Sequence, residues 1–242
     1  MKNKFNFFLV KPQLGENIGT SARALKNFGF SKLSIINPRD GWPNQKAIAA
    51  SVGAINIIKK CKVFKNTEDA IKKSNLIFSF TARPRDLNKK HICISEFKSI
   101  LKKNIGLKIG LMFGSESSGL SNLDIAYSNF IVTIPTESKF KSLNLSHSVL
   151  LVSYEIAKLL SKSNKKIESR LISASKKEMK NLLKILEEKL EKRLFFKPRE
   201  KKSSMMTNIN NLFYRFQANV KEIRILTSII SSLSKDKIKK HN

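Results

Sequence analysis

The chain has 242 residues and a formal net charge of +29, from 47 lysines and arginines against 18 aspartates and glutamates. Hydrophobic residues make up 41% of it, which excludes wholesale disorder and allows one sizeable core with an appendage, or two small domains. So strong a positive charge predicts a polyanionic partner, nucleic acid before a membrane.

The cysteines and histidines exclude two further classes of protein. Cys61 and Cys93 fit a reduced cytosolic protein better than a disulfide framework. The three histidines are too scattered for a zinc site, so we expect no metal. The apolar run near the amino terminus is too short for a signal peptide, and no run reaches bilayer length. We therefore expect a soluble cytoplasmic protein that does not bind membranes.

The first 160 residues alternate short apolar runs with helical patterns, which predicts one α/β domain on a mostly parallel sheet. The predicted strands are Phe5–Val10, Lys32–Ile36, Lys62–Phe64, Leu76–Thr81, Ile109–Phe113 and Ile131–Ile134. Ligand sites in such sheets lie outside the carboxyl ends of the strands. The loops after Phe80, Phe113 and Ile134 are therefore the candidate site.

The first and last helices of this domain have predicted start residues. Asn17 is the predicted N-cap of a helix that ends at Gly29, and Asn144 is the predicted N-cap of a helix from Leu145. Arg23 lies about 100° around the first helix from Ala22, an apolar position, so it need not face the core.

The rest of the chain is predicted to be a linker, 161–175, and a basic helical extension, 176–242. Ser175 and Glu178 form a capping-box pattern at the start of this extension, and two more helices are expected near 206–216 and 220–233. From residue 161 onward the net charge is 22 − 8 = +14 over 82 residues, against 25 − 10 = +15 over the first 160. The extension is nearly twice as charge-dense, which favours a role in gripping nucleic acid.

Three familiar sequence signatures are missing. There is no G-x-G-x-x-G after the first strand, no G-x-x-x-x-G-K-[ST] and no G-x-S-x-G. Dinucleotide binding of the ordinary Rossmann type, P-loop nucleotide hydrolysis and α/β-hydrolase chemistry therefore lack their motifs.

Three motifs instead resemble those of the SpoU branch of the SPOUT RNA methyltransferases, in the right order. They are Asn17-Ile-Gly19 with Arg23, then Phe113-Gly-Ser-Glu-Ser-Ser-Gly-Leu120, then Ile134-Pro135 with Ser142-Leu-Asn-Leu145. The set covers residues 1–160. Residues 206–213 and 222–226 resemble the helical extension of the TrmJ family of tRNA methyltransferases within that branch.

The resemblance implies a fold, a cofactor and a reaction. The fold would be a knotted α/β domain with a carboxyl-terminal trefoil knot, in which the segment after about Ile131 threads through an earlier loop. S-adenosyl-L-methionine would bind in the knot, in a homodimer, and its methyl group would pass to a ribose 2′-hydroxyl. RNA, and tRNA in particular, would be the partner, with no DNA expected.

The same resemblance implies the site residues. The catalytic candidates are Arg23, Asn17, Glu116, Ser142 and Asn144. The cofactor contacts are Thr81, Ala82, Arg83, Gly114, Ile134, Ser142, Leu143 and Asn144. Because a guanidinium hardly deprotonates, we interpret Arg23 as fixing the target phosphate and stabilising the developing alkoxide, with Glu116 orienting it.

Three functions remain open at this point. The first is 2′-O-methylation of tRNA, at cytidine or uridine 32 of the anticodon loop. The second is the same chemistry at another tRNA site or on ribosomal RNA. The third is a non-catalytic RNA-binding protein with a vestigial site, against which the complete set of motif residues argues.

Two further expectations concern surfaces. The RNA-binding candidates in the extension are Arg193, Phe196, Lys197 and Arg199, because aromatic side chains beside cations can stack on unpaired bases. The alternative is that Phe195 and Phe196 form the core of the helical bundle. Helix 145–160 carries more apolar residues than one core-facing stripe needs, which predicts a homodimer through it and the first helix, or else burial within its own domain.

Overall fold

The computed structural model describes residues 1–83, 88–161 and 173–233, and these contain a seven-stranded parallel sheet. The strands are β1 (Phe5–Val10), β2 (Leu33–Ile36), β3 (Lys62–Phe64), β4 (Leu76–Phe80), β5 (His91–Cys93), β6 (Ile109–Phe113) and β7 (Phe130–Thr133). Their order across the sheet is β3-β2-β1-β6-β4-β7-β5, with every neighbouring pair parallel. All carboxyl ends therefore meet at one edge.

Seven α-helices accompany the sheet in the described residues up to 161, and three more follow. The first seven are α1 (Gly15–Asn27), α2 (Gln45–Ala50), α3 (Ile55–Lys59), α4 (Thr67–Ile71), α5 (Ile94–Lys103), α6 (Asn122–Ala126) and α7 (Leu145–Ser161). The last three are α8 (Lys176–Lys192), α9 (Lys202–Arg215) and α10 (Val220–Leu233). None of the helices described is long and apolar enough to cross a bilayer.

Both faces of the sheet are buried, which explains why its strands read as continuous apolar runs. On β1, Phe7 and Leu9 face the cluster shared with α1, α5 and α7, whereas Phe8 and Val10 face α4 and α6. The ring of Phe113 stacks on the ring of Phe7 and has the ring of Phe80 at 4.8 Å on a neighbouring strand. Large aromatic side chains thus fill the sheet's core directly below its carboxyl edge.

The predicted mostly parallel sheet is confirmed, and each of the six predicted strands lies within one residue of its observed bounds. The strand β5 was not predicted. It has three residues at the sheet edge, and only Ile92 among them is buried. A single buried side chain leaves no alternation in the sequence from which a strand could be recognised.

The prediction for the start of α1 is wrong, whereas that for α7 is confirmed. The helix α1 begins at Gly15, so Asn17 lies inside it. The carboxylate of Glu116, about a hundred residues further along the chain, accepts hydrogen bonds from the backbone N–H groups of Gln13 and Leu14 at 2.8 and 3.2 Å. These two residues directly precede the helix, and no local pattern in the sequence can show a contact that arrives from another loop. Asn144 caps α7 as predicted, since its Oδ1 accepts from the Ser146 N–H at 2.9 Å.

The apolar surplus of α7 is mostly used within its own domain. Val152, Ile156 and Leu160 are buried, and they pack in the core cluster that includes α1. Leu151 and Tyr154 remain exposed, at 42% and 44%. Val152, Ile156 and Leu160 therefore belong to the core-facing stripe of α7, and the homodimer through α7 and α1 stays a prediction.

The predicted extension is helical, and the capping box at Ser175 and Glu178 is confirmed. Met179, Leu182, Leu183, Tyr214 and Ile223 form a separate hydrophobic cluster among α8, α9 and α10. Residues 162–172, most of the predicted linker, and the lysine-rich segment 234–242 lie outside the described residues.

The extension contacts the amino-terminal edge of the sheet. The Lys176 N–H donates to the carbonyl of Ser74, just before β4, at 2.7 Å. The Asn129 side chain, just before β7, donates to the Tyr214 carbonyl at 2.9 Å. Lys176 Nζ donates to Asn129 Oδ1 at 2.6 Å and lies 4.9 Å from the centre of the Tyr214 ring. Burial lowers the pKa of Lys176 to about 7.

Candidate active site

A cavity of about 340 Å³ opens at the carboxyl edge of the sheet, between the loops that follow β4, β6 and β7. Its walls are partly apolar, through Phe80, Phe113, Ile134, Leu143 and Leu145, and partly polar. The polar lining comes from Thr81, Arg83, Ser115, Glu116, Ser117, Thr136, Lys141, Ser142 and Ser148. An apolar pocket with a few convergent polar groups is the usual form of a small-molecule site.

Seven of the eight predicted cofactor contacts line this cavity. They are Thr81, Ala82, Arg83, Gly114, Ile134, Ser142 and Leu143. The eighth, Asn144, does not line it, because its side chain caps α7 and donates to Asn17. The structure thus brings together residues that are up to 62 positions apart in the sequence, and their contact with a cofactor stays a prediction.

The loops around the cavity are joined by direct hydrogen bonds. Arg83 Nη2 donates to the Ser117 carbonyl at 2.7 Å, which links the β4 loop to the β6 loop. Gln13 Nε2 donates to Ser117 Oγ at 2.8 Å, which links the β6 loop to the segment before α1. A Cβ atom on Gly114 would lie 2.1 Å from the Gly119 carbonyl carbon, so only glycine allows this turn.

Asn17 connects the second and third motifs. Its Nδ2 donates to Glu116 Oε1 at 2.7 Å, and its Oδ1 accepts from Asn144 Nδ2 at 3.1 Å. Asn17 is 7% exposed, so these bonds are shielded from water. Three of the five predicted catalytic residues therefore form one hydrogen-bonded chain beside the cavity.

The other two, Arg23 and Ser142, are placed differently. Ser142 lines the cavity and is exposed. Arg23 is exposed on α1 and does not line the cavity. It lies eight residues after Gly15, which is about 12 Å along a helix axis that leads away from the carboxyl edge. Within one chain Glu116 is not bonded to Arg23, because its carboxylate bonds to Gln13, Leu14 and Asn17. The orientation of Arg23 by Glu116 stays a prediction.

Sequence reasoning missed several lining residues, chiefly Lys141, Thr136 and Ser148. Lys141 directly precedes Ser142, and it is the cation that the β7 loop brings to the cavity wall. Its position beside a motif residue was the available signal. Thr136 and Ser148 carried none, since small polar residues are common in any loop.

The predicted RNA-binding residues lie in the turn between α8 and α9. Lys197 and Arg199 are exposed, but Phe196 is only 5% exposed. Its ring packs edge-on against Phe195, and Lys202 Nζ lies 5.6 Å from its centre. The expectation that Phe196 is available for stacking is therefore wrong, and the exposed aromatic residue is Phe195, at 48%.

The donor set of the cavity suits an organic cofactor. Hydroxyl groups, one carboxylate and two cations can bind the ammonium and carboxylate of an amino acid, and the apolar walls can hold a flat ring. Within the described ranges no three His, Cys, Asp or Glu residues are grouped as metal ligands would be.

Comparison with known proteins identifies the family. The model of the SpoU rRNA Methylase family matches residues 4–154, well over half of the chain. The chain belongs to this family. The match includes the whole sheet and every loop that lines the cavity.

Individual members of the family resemble the chain beyond that domain. The tRNA (cytidine-2'-O-)-methyltransferase TrmJ of Methanocaldococcus jannaschii is 32% identical over 187 residues, covering 76% of this chain and 80% of that protein. The tRNA (cytidine/uridine-2'-O-)-methyltransferase TrmJ of Sodalis glossinidius is 29% identical over 238 residues, 96% and 92% of the two chains. The crystal structure of TrmJ from Z. mobilis ZM4 superposes with a TM-score of 0.84 at 32% identity, covering 95% of this chain and 99% of that chain.

Proposed function

We propose that this protein transfers a methyl group from S-adenosyl-L-methionine to a ribose 2′-hydroxyl of tRNA, at cytidine or uridine 32 of the anticodon loop. The observation that carries the proposal is the 340 Å³ cavity closed by the loops after β4, β6 and β7, in a chain of the SpoU methylase family. Full-length similarity to tRNA 2′-O-methyltransferases supports the choice of tRNA.

The cofactor supplies an electrophilic methyl group on a sulfonium. Leu143 and Ile134 would hold its flat base, and the close turn at Gly114 would let backbone groups approach it. Glu116 and Lys141 offer opposite charges to the ammonium and carboxylate of its amino acid part. Methyl transfer is an in-line displacement, so the protein accelerates it chiefly by positioning the 2′-oxygen.

Arg23 is proposed to act at the cavity of a second copy. It is exposed and lies outside the cavity of its own chain, so a catalytic Arg23 needs a neighbouring site. Leu151 and Tyr154 on α7 supply an exposed strip, and the Tyr154 ring packs against Phe28 at the end of α1. We therefore propose a homodimer through α1 and α7, in which Arg23 stabilises the developing alkoxide.

A knot and a division into domains belong to the same proposal. The segment after β7 leaves from between β4 and β5, and Asn144 then reaches Asn17 on α1. Threading of this segment through an earlier loop is consistent with that path. We propose a methyltransferase domain over 1–160, a linker over 161–175 and an extension over 176–242, acting in the cytoplasm.

The extension is proposed to hold tRNA. Lys177 contacts Lys72 just after α4, and Lys180 pairs with Glu68 near its start at 2.9 Å. The helix α8 therefore runs antiparallel to α4, from the amino edge towards the carboxyl edge of the sheet. It carries Phe195 and the neighbouring cations in that direction, over about 25 Å for 17 residues.

Ribosomal RNA is the second candidate substrate, because the family to which the chain belongs is called the SpoU rRNA Methylase family. The experiment uses the purified protein with labelled S-adenosyl-L-methionine and two RNAs, unmodified tRNA transcripts and ribosomal RNA. Nucleoside mass spectrometry then identifies the methylated ribose. A transcript with a 2′-deoxy nucleotide at position 32 is the control.

We expect tRNA to be methylated and the 2′-deoxy transcript to remain unmethylated. Methylation of the 2′-deoxy transcript would disprove position 32 as the target, but the proposed methylation of tRNA would still stand. Methylation of ribosomal RNA alone would favour the second candidate. RNA binding without transfer to either substrate would contradict the proposed enzyme and favour an RNA-binding protein.

A further inference from the structure

A second cavity, of about 590 Å³, lies at the other end of the sheet, at the amino ends of its strands. It is larger than the cavity at the carboxyl edge and shares no lining residue with it. Seven of its lining side chains are lysines, and one is an aspartate. Among the described residues no other acidic side chain lines it, so the formal charge of this lining is strongly positive.

The topology of the sheet explains how these lysines come together. Lys62 is the first residue of β3, Lys32 directly precedes β2, and Lys4 directly precedes β1. Lys108 directly precedes β6, and Lys73 lies three residues before β4. These five strands are neighbours in the order β3-β2-β1-β6-β4, so one lysine stands at or near the start of each.

Most of these charges have no ion-pair or hydrogen-bond partner among the described residues. Lys72 pairs with Asp69 at 2.6 Å, and Lys4 donates to the Gly106 carbonyl at 2.6 Å. The ammonium groups of the other five have neither kind of partner in the part of the chain that the structure describes: Lys32, Lys60, Lys62, Lys73 and Lys108. Like charges around one concave surface repel each other and concentrate anions there.

The cavity also has a polar floor and an apolar wall. Asn6 and Ser34 are polar residues within otherwise apolar strands, and Asn6 Nδ2 donates to Ser34 Oγ at 3.1 Å. Both line the cavity, as do Ile57 and the half-buried ring of Phe64. Amide and hydroxyl groups can read the edge of a base or sugar, and the apolar side chains can cover its face.

We propose that this cavity binds a free nucleotide that carries several phosphates, of the nucleoside polyphosphate class. Lysine binds phosphate as a compact point charge, and the flexible side chains at the strand starts can converge on a phosphate chain. A strand of RNA brings only one charge per nucleotide into a cavity of this size, whereas a nucleoside triphosphate brings about four. The charge therefore favours the compact ligand.

The test is a titration of the full-length protein with ATP and GTP, by calorimetry at about 0.1 M salt, where surface charges are partly screened. The variant Lys32→Ala/Lys108→Ala removes two charges from the cavity. The matched control, Lys59→Ala/Lys65→Ala, removes two exposed lysines that do not line it. Ser31→Trp fills the mouth from an exposed lining position without changing the charge.

We expect the wild-type protein to bind the nucleotides. The affinity should fall at least tenfold in Lys32→Ala/Lys108→Ala and in Ser31→Trp, and less than twofold in the control. Saturating S-adenosyl-L-methionine should leave it unchanged, because the two cavities are separate. No binding at millimolar nucleotide, equal loss in the control, or displacement by S-adenosyl-L-methionine would overturn the proposal. The proposal would also be overturned if the wild-type protein bound no free nucleotide and the cavity variants bound tRNA more weakly than the wild type.

Discussion

The side-chain amide of Asn17 donates to Oε1 of Glu116 at 2.7 Å, across 99 positions of the chain. The same carboxylate accepts the N–H groups of Gln13 and Leu14, the two residues that directly precede α1. Two residues expected to take part in catalysis therefore hold the β6 loop against α1. In this arrangement they position the cavity wall.

Replacing Asn17 should loosen that wall. Asn17→Ala leaves the Asn144 amide without an acceptor and removes one donor from Glu116, so we expect a loss of about 1–3 kcal/mol in unfolding free energy. Affinity for S-adenosyl-L-methionine should fall as well. Chemical denaturation and calorimetry measure the two effects. Asn27→Ala, at the exposed end of α1, is the control, and equal results for both variants would contradict the role of Asn17.

Arg23→Ala should lower turnover by on the order of 10²-fold or more, while cofactor affinity stays within a few-fold. Arg23 does not line the cavity of its own chain, so the loss would lie in the chemical step. A radiolabelled-methyl assay beside calorimetry separates the two quantities. Lys26→Ala on the same helix is the control. A variant with full turnover would exclude a catalytic role.

Mixed dimers show whose cavity Arg23 serves. Arg23→Ala and Gly114→Val should each be inactive, because a Cβ at residue 114 collides with the Gly119 backbone. Mixed in equal amounts, they should regain about a quarter of the wild-type activity, since half of the dimers pair one intact cavity with one intact Arg23. If each Arg23 served its own cavity, mixing would restore nothing.

The free energy of unfolding should rise with pH between about 7 and 10. Burial lowers the pKa of Lys176 to about 7 and that of Lys89 to about 6, both below the value of a free lysine. The unfolded chain then binds more protons than the folded chain in this range, so stability increases by up to about 1.4 kcal/mol per pH unit for each lysine. Denaturation at several pH values should show a shallower slope in Lys176→Met than in Lys177→Met, whose side chain is exposed.

Phe195→Ala should weaken tRNA binding by roughly 5- to 150-fold without changing stability, which corresponds to about 1–3 kcal/mol for one stacked base. Its ring is half exposed beside Lys197 and Arg199. Phe196→Ala should mainly destabilise the extension, because that ring is buried. Filter binding and thermal melting distinguish them. Leu212→Ala, which changes an exposed apolar residue of α9, is the control. If Phe195→Ala bound tRNA as tightly as this control does, the contact between Phe195 and tRNA would be refuted.

The sequence predicted what depends on near neighbours in the chain. Apolar runs revealed six strands, and Asn144 was recognisable as a cap because it bonds to residues that directly follow it. The resemblance to the family motifs predicted seven of the residues that line the cavity. None of this required knowledge of distant contacts.

Errors arose where a distant residue decides the outcome. Asn17 matched a cap pattern, but the helix begins at Gly15, directly after the segment that Glu116 of the β6 loop binds. Phe195 and Phe196 are alike in sequence, and only the packing of the α8–α9 turn buries the second. The lysines of the second cavity are spread over about a hundred positions, and the sheet order alone makes them neighbours.

The contact between Asn129 and Tyr214 bears on how the chain is made. Asn129 accepts the N–H of Ile77 on β4 and donates to the Tyr214 carbonyl, so one side chain joins two strands to α9. During synthesis the whole sheet leaves the ribosome before α9 does. Until residue 214 has been synthesised, the Asn129 amide lacks this acceptor and can donate only to water. A chain that ends before α9 would leave Asn129 exposed at the amino-terminal edge of a completely formed sheet. We expect quality-control proteases to degrade such a truncated chain faster than the full-length chain.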